Sequence, residues 1–248
     1  MAARRPVIGI TVDHNSRALP DGTVEYSQYM LPHTYALAVE RAGGLPLMLP
    51  YRSDAPELVV QYADLCDGFV FSGGNDYDPA AFGEVRHPKA VGVDPNRETF
   101  ERKLIAEVEK RRKPVLGICG GLQVINLHRG GSLHQFLPDL GLSPTIEHRR
   151  ASLEEWAKRH GVVLERESFI AQLTGQTEFQ SNTSHKQAVN KPGRGLRIVG
   201  RAPDGVVEAV EDTSFPFFVA VQWHPERQPG ETPHVRLFEG LVGACKRA

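Results

Sequence analysis

The sequence predicts an α/β architecture: a mainly parallel sheet flanked by helices, with an antiparallel extension in the C-terminal half. Three observations lead there. Short apolar runs alternate with helix-periodic segments up to about residue 130, as in successive βα units. Several of these segments end in Gly- or Pro-bounded turns. Beyond about residue 140 the runs are mostly strand-like, and two of them are joined by a hairpin turn.

The elements follow in order. Val7 to Val12 reads as a buried first strand. Leu31 to Ala42 reads as a helix stopped at Gly43-Gly44. Leu45 to Leu49 is a second strand, which Pro46 restricts to a sheet edge or to a position near the strand's start. Pro56 to Ala63 is helical, and Gly68 to Phe71 is a third strand followed by SGGNDYDP. Asp94-Pro95 supplies a helix cap and a first-turn proline, after which Phe100, Leu104, Ile105 and Val108 share one helical face. Lys113-Pro114 ends that helix. Val115 to Ile118 is the fourth strand, and Leu122 to Leu127 belongs to a helix closed by Gly130-Gly131. Val162 to Leu164, Leu196 to Val199, Val206 to Val210 and Phe217 to Val221 read as further strands. Pro203-Asp204-Gly205 forms the turn between the second and third of these. A last helix runs from Pro233 to Cys245. No low-complexity linker or internal repeat interrupts residues 1–248, which read as a single domain. Ligands in such sheets sit at the carboxyl ends of the strands.

The 248 residues are 40% hydrophobic, enough for a substantial core, and carry a formal net charge of −1. That balance gives no general attraction to nucleic acid or to an anionic membrane. The basic clusters Arg111-Arg112-Lys113 and His148-Arg149-Arg150 read as solvated, with no aromatic residues interleaved. No stretch is long and apolar enough to span a membrane, and the N-terminal run is too short for a signal sequence. Three cysteines without metal-type spacing argue for a reduced, cytoplasmic setting.

Chemistry concentrates in three places. In PVLGICGGLQVIN, residues 114 to 126, Cys119 closes a strand and opens a helix within a G-x-C-x-G pattern. This is a nucleophile elbow with cysteine in place of serine. Small neighbours let the backbone turn, the helix N-terminus favours a thiolate, and the Gly120 N–H can hold an oxyanion. Cys66 and Cys245 lack that context and read as structural. In VAVQWHPE, an apolar run ends at His224 with Glu226 two residues on, a base and a group to orient it. A metal centre of Cys119, His224 and Glu226 finds no other support in the sequence, and no metal or cofactor is expected. In SGGNDYDP, Gly73-Gly74 permits close backbone approach and a second oxyanion donor.

These three elements, in this order, resemble the class I glutamine amidotransferase-like superfamily. PVIGIT, AGGLPLMLP, SGGNDYDPAAFGE, DPNRE, GICGGLQVINLHRGGSLHQFL, NTSHKQAV, APDGVVEAVE and VAVQWHPE narrow the resemblance to the gamma-glutamyl-gamma-aminobutyrate hydrolase family. It covers nearly the whole chain and is weakest between about residues 140 and 178. The resemblance implies a flavodoxin-like three-layer sandwich and a thiol amidohydrolase of polyamine catabolism that cuts a gamma-glutamyl amide. It implies Cys119 as nucleophile, His224 as general base and acid, Glu226 as third member, and Gly120 with Gly73 or Gly74 as oxyanion hole. Gln123 and the segment carrying Asn182, Ser184 and His185 fall on the substrate side. Two positions depart from the pattern. Gly120 stands where many members carry arginine, and Lys186 where many carry a second histidine.

The expected partner is a small-molecule gamma-glutamyl substrate, with neither nucleic acid nor membrane and with a homodimer left open. Two rival readings remain: a glutaminase passing ammonia to a separate synthetase, and a non-catalytic thiol sensor on the same fold.

Overall fold

The computed structural model describes residues 4–52, 54–142, 146–148 and 159–246. Of the basic run His148-Arg149-Arg150, only His148 is among them. Their strands and helices are β1 (Val7–Thr11), β2 (Asp13–Ala18), β3 (Val24–Met30), α1 (His33–Arg41), β4 (Leu45–Leu49), α2 (Glu57–Leu65), β5 (Gly68–Phe71), α3 (Pro95–Lys110), β6 (Val115–Ile118), α4 (Gly120–His128), β7 (Ser132–His134), β8 (Arg159–Leu164), α5 (Phe169–Thr174), β9 (Glu178–Asn182), β10 (Ala188–Lys191), β11 (Arg197–Arg201), β12 (Val207–Glu211), β13 (Phe218–Val221) and α6 (Thr232–Cys245).

The central sheet runs β4-β1-β5-β6-β13-β12-β11-β8-β9. From β4 to β13 the neighbours are parallel, and from β13 to β9 they are antiparallel. Strand alternation divides the core in two. Phe69, Phe71, Val115, Phe218 and Ala220 face α2, α3 and α4. Val70, Leu116, Ile118, Val219 and Val221 face α1, α5 and α6. The expected sandwich is therefore present, and Pro46 lies on the edge strand β4 as its missing N–H requires.

Asp94 caps α3 by accepting from the Asn96 N–H, with Pro95 in the first turn. Phe100, Leu104, Ile105 and Val108 are all buried along that helix. Two further antiparallel pairs, β2–β3 and β7–β10, lie outside the main sheet. The sequence reading placed no strand at any of the four, nor at β9. All of β3 is exposed, so no apolar alternation marks it. Its turn does carry a signal: Asp21-Gly22, with Gly22 at φ 86°, is a hairpin dipeptide.

Register determines what meets at the rim. Phe71 and Ala220 both pair with Gly117, and Val221 pairs with Ile118. The three adjacent strands β5, β6 and β13 thus end together. The segments that follow them begin at Ser72, Cys119 and Gln222.

Candidate active site

Cys119 has φ 53° and ψ −104°, one of two non-glycine residues with positive φ among the described residues. Such a conformation costs about 1–3 kcal/mol and persists only where its surroundings impose it. Here Cys119 N–H donates to Val221 O at 2.8 Å, and Gln123 N–H donates to Cys119 O at 3.2 Å. The flanking glycines let α4 press onto the sheet. A Cβ on Gly121 would lie 2.0 Å from Phe71 O, and one on Gly117 would lie 2.8 Å from Ile125 Cδ1. The elbow anticipated from the sequence is present.

His224 follows β13, and its Nδ1–H donates to Glu226 Oε1 at 2.8 Å. Both side chains are buried. Cys119 lines the same cavity as the His224 ring and acts on its charge. Burial alone would push the imidazole pKa down. The Glu226 carboxylate and the Cys119 thiol outweigh it and hold the pKa up at about 9. Asn182 clamps the histidine from behind: its Nδ2 donates to His224 O at 2.8 Å, and its Oδ1 accepts the His224 N–H at 2.9 Å. The Asn182 side chain therefore grips the histidine main chain.

Two cavities meet at Cys119. One, of about 190 Å³, is lined by Gln123, Asp76, Lys186, Gln187 and His185. The other, of about 270 Å³, is lined by Asp13, Met30, Tyr35, His224 and Arg227. Gly74, Asn75, Ser184 and Cys119 border both. Gln123 Nε2 donates to Gln187 O and to Gln222 Oε1, and Gln222 Nε2 reaches Cys119 Sγ at 3.5 Å. Lys186 Nζ pairs with Asp76 at 2.7 Å. Although His185 lines the smaller cavity, its Nδ1–H donates to Gln187 O and its Nε2 faces Glu208.

The two glycines of the SGG turn differ. Gly73 N–H donates to Tyr35 Oη at 3.0 Å. Gly74 N lies 3.0 Å from where a Cβ on Gly120 would sit. Gly120 opens α4, so its own N–H has no acceptor within the helix. The main-chain groups of Gly74 and Gly120 are thus adjacent beside the thiol. Arg97, which sequence reasoning missed, fixes this turn. Fully buried, it donates to Ser72 O at 3.0 Å, Gly73 O at 3.0 Å and Glu101 Oε1 at 3.0 Å. By holding Gly73 O it turns the Gly74 N–H the opposite way, since the two groups of a trans peptide oppose each other. The signal was available in DPNRETFE, where Arg97 and Glu101 stand one helical turn apart.

A second polar cluster went unread. His148, His160, His185 and Glu208 are all buried, and their facing nitrogen and oxygen atoms lie within 4.8 Å of one another. Their spacing along the chain matches no short metal motif, so only the fold brings them together.

The mainly parallel sheet flanked by helices, with its antiparallel extension, is the fold of the class I glutamine amidotransferase-like proteins. Residues 6–226 match the peptidase C26 family, and the chain belongs to it. A gamma-glutamyl-gamma-aminobutyrate hydrolase of Escherichia coli is 33% identical over 97% of this chain and 94% of its own length. A Mycobacterium tuberculosis protein, provisionally named a glutamine amidotransferase, is 36% identical over 99% of this chain and 76% of its own. Among solved structures, a Thermoplasma acidophilum protein provisionally named as one component of a GMP synthase superposes with a TM-score of 0.64, covering 99% of this chain and 96% of that one. At 17% identity it speaks to the fold alone. Among the described residues, no helix is long and apolar enough to cross a membrane.

Proposed function

We propose that the chain is a thiol hydrolase that cleaves the gamma-glutamyl amide bond of a small gamma-glutamyl amine, such as gamma-glutamyl-gamma-aminobutyrate, and releases glutamate. The observation that carries this reading is the hydrogen-bonded His224–Glu226 pair sharing a cavity with Cys119, beside paired glycine amides. In this reading the Cys119 sulfur attacks the gamma-carbonyl carbon. The N–H groups of Gly74 and Gly120 hold the developing oxyanion, each donor being worth about a hundred- to a thousandfold in rate. His224 gives its proton to the leaving amine, and the C–N bond breaks. The same imidazole then takes a proton from water, which attacks the thioester and frees glutamate. Glu226 holds the ring with Nδ1–H toward itself, leaving Nε2 for the reaction. The Asp76–Lys186 pair supplies one charge of each sign in the smaller cavity, which suits the ammonium and carboxylate of a glutamyl head group.

Glutamate release tests the proposal, measured on gamma-glutamyl-gamma-aminobutyrate, other gamma-glutamyl amines and glutamine. Wild-type turnover on a gamma-glutamyl amine, lost in Cys119→Ala, is the expected result. Turnover of glutamine alone would favour a glutaminase. A thiol that alkylates quickly but turns over none of them would overturn the hydrolase reading in favour of sensing.

A further inference from the structure

The cluster of three histidines and a glutamate has a geometry that hydrogen bonding does not explain. Glu208 Oε1 lies 3.4 Å from His160 Nε2, 3.4 Å from His185 Nε2 and 3.6 Å from His148 Nδ1. These separations exceed the usual 2.7–3.2 Å hydrogen bond. A tetrahedral ion with bonds of about 2.0–2.2 Å places its ligand atoms about 3.3–3.6 Å apart.

The opposite nitrogen of each ring fixes the tautomer. His148 Nε2–H donates to Asp204 Oδ2, His160 Nδ1–H to Gly161 O, and His185 Nδ1–H to Gln187 O, each at 2.9 Å. In the neutral imidazole this leaves a lone pair on the second nitrogen of every ring, aimed at the carboxylate. One carboxylate and two carbonyls behind three rings is the outer-shell pattern that orients histidine ligands on a metal. The facing atoms His148 Nδ1, His160 Nε2, His185 Nε2 and both Glu208 oxygens are buried and make no hydrogen bond among the described residues. Three ring lone pairs and a carboxylate facing one another in a buried space are stabilised by positive charge placed between them, a bound cation or a proton.

We propose that His148, His160, His185 and Glu208 bind a divalent transition-metal ion, with zinc the best match, in a closed four-coordinate structural site. Imidazole and carboxylate ligands in tetrahedral array suit zinc, and with all four positions filled by protein no water is left to activate. The ion joins β8, β12, the segment carrying His148 and the turn carrying His185. That turn includes Ser184 and Gln187, which line the cavity at Cys119. The ion's role is to hold this wall against the antiparallel half of the sheet.

The test is metal content and stability of the intact chain, neither of which depends on the hydrolase reading. Purified wild-type protein should retain about one equivalent of zinc through dialysis, and so should Cys119→Ala. Glu208→Gln and His160→Ala should each lose at least nine-tenths of it. Chelation should lower the melting temperature. Zinc at a hundredfold excess over its Kd should raise it by roughly 5–10 °C. Cobalt(II) added to the stripped wild-type protein should give the intense visible bands of tetrahedral coordination, a readout that needs no variant to fold. Stripped protein that gains neither stability with zinc nor tetrahedral bands with cobalt would overturn the site. Undiminished binding by both variants would overturn the ligand set.

Discussion

His224 Nδ1 lies 2.8 Å from Glu226 Oε1, with Pro225 between them in the chain and Cys119 lining the same cavity as the ring. A folded-state pKa of about 9, above the ordinary 6.5, means that the protonated imidazole adds stability in full below about pH 6.5. That contribution is lost as pH rises through about 9, and it amounts to a few kcal/mol at most. Urea unfolding from pH 6 to 10 should show the decline in wild type and a much shallower one in Glu226→Gln. Equal slopes would refute the pairing.

Thiol labelling should be single and local. Burial pushes the thiols of Cys66 and Cys245 up to about 12, while Cys119 borders both cavities. Native protein treated with iodoacetamide near neutral pH should take up one equivalent, found at Cys119 by peptide mapping. Cys119→Ala should take up none until unfolded.

Arg97 acts on the site through the main chain of Ser72 and Gly73. Arg97→Lys keeps the charge and loses the planar fork that reaches both carbonyls and Glu101. On the proposed gamma-glutamyl hydrolysis, kcat should fall by about ten- to a hundredfold with KM nearly unchanged, as for a loosened oxyanion donor. A change in KM alone would assign Arg97 to substrate binding instead.

Two glycines in helices should behave oppositely. Gly121→Ala drives a methyl into Phe71 O and should destabilise the protein by about 3 kcal/mol or more. At Gly243 in α6 nothing stands within 4 Å of a new Cβ, so Gly243→Ala should stabilise by about 0.5–1 kcal/mol. Denaturant midpoints compare the two directly.

The central sheet was legible because each parallel strand is a short apolar run between glycine or proline signals. Leu45–Leu49, Gly68–Phe71 and Val115–Ile118 have the bounds read from the sequence. The rim was legible too, because Cys119 and His224 each lie just beyond such a run. The β2–β3 hairpin was not, since its exposed polar strands carry no burial pattern. The histidine cluster was invisible for a different reason. His148, His160, His185 and Glu208 stand on four separate segments, and only the pairing of β8, β11 and β12 brings two of those segments near each other. Arg97 lay between the two failures: a charged residue in a first turn reads as solvated until the SGG turn is seen folded over it.

The position of β13 has a consequence for the nascent chain. This strand is the last of the sheet to be synthesised, yet it lies at the centre, between the parallel and antiparallel halves. Gln222, which touches the Cys119 sulfur, is 103 residues downstream of it. On the ribosome, Cys119 therefore emerges long before His224. Pairing of the two requires insertion of β13, the same event that closes the two halves into one sheet. In the proposed hydrolase, assembly of the site and completion of the fold are then a single step.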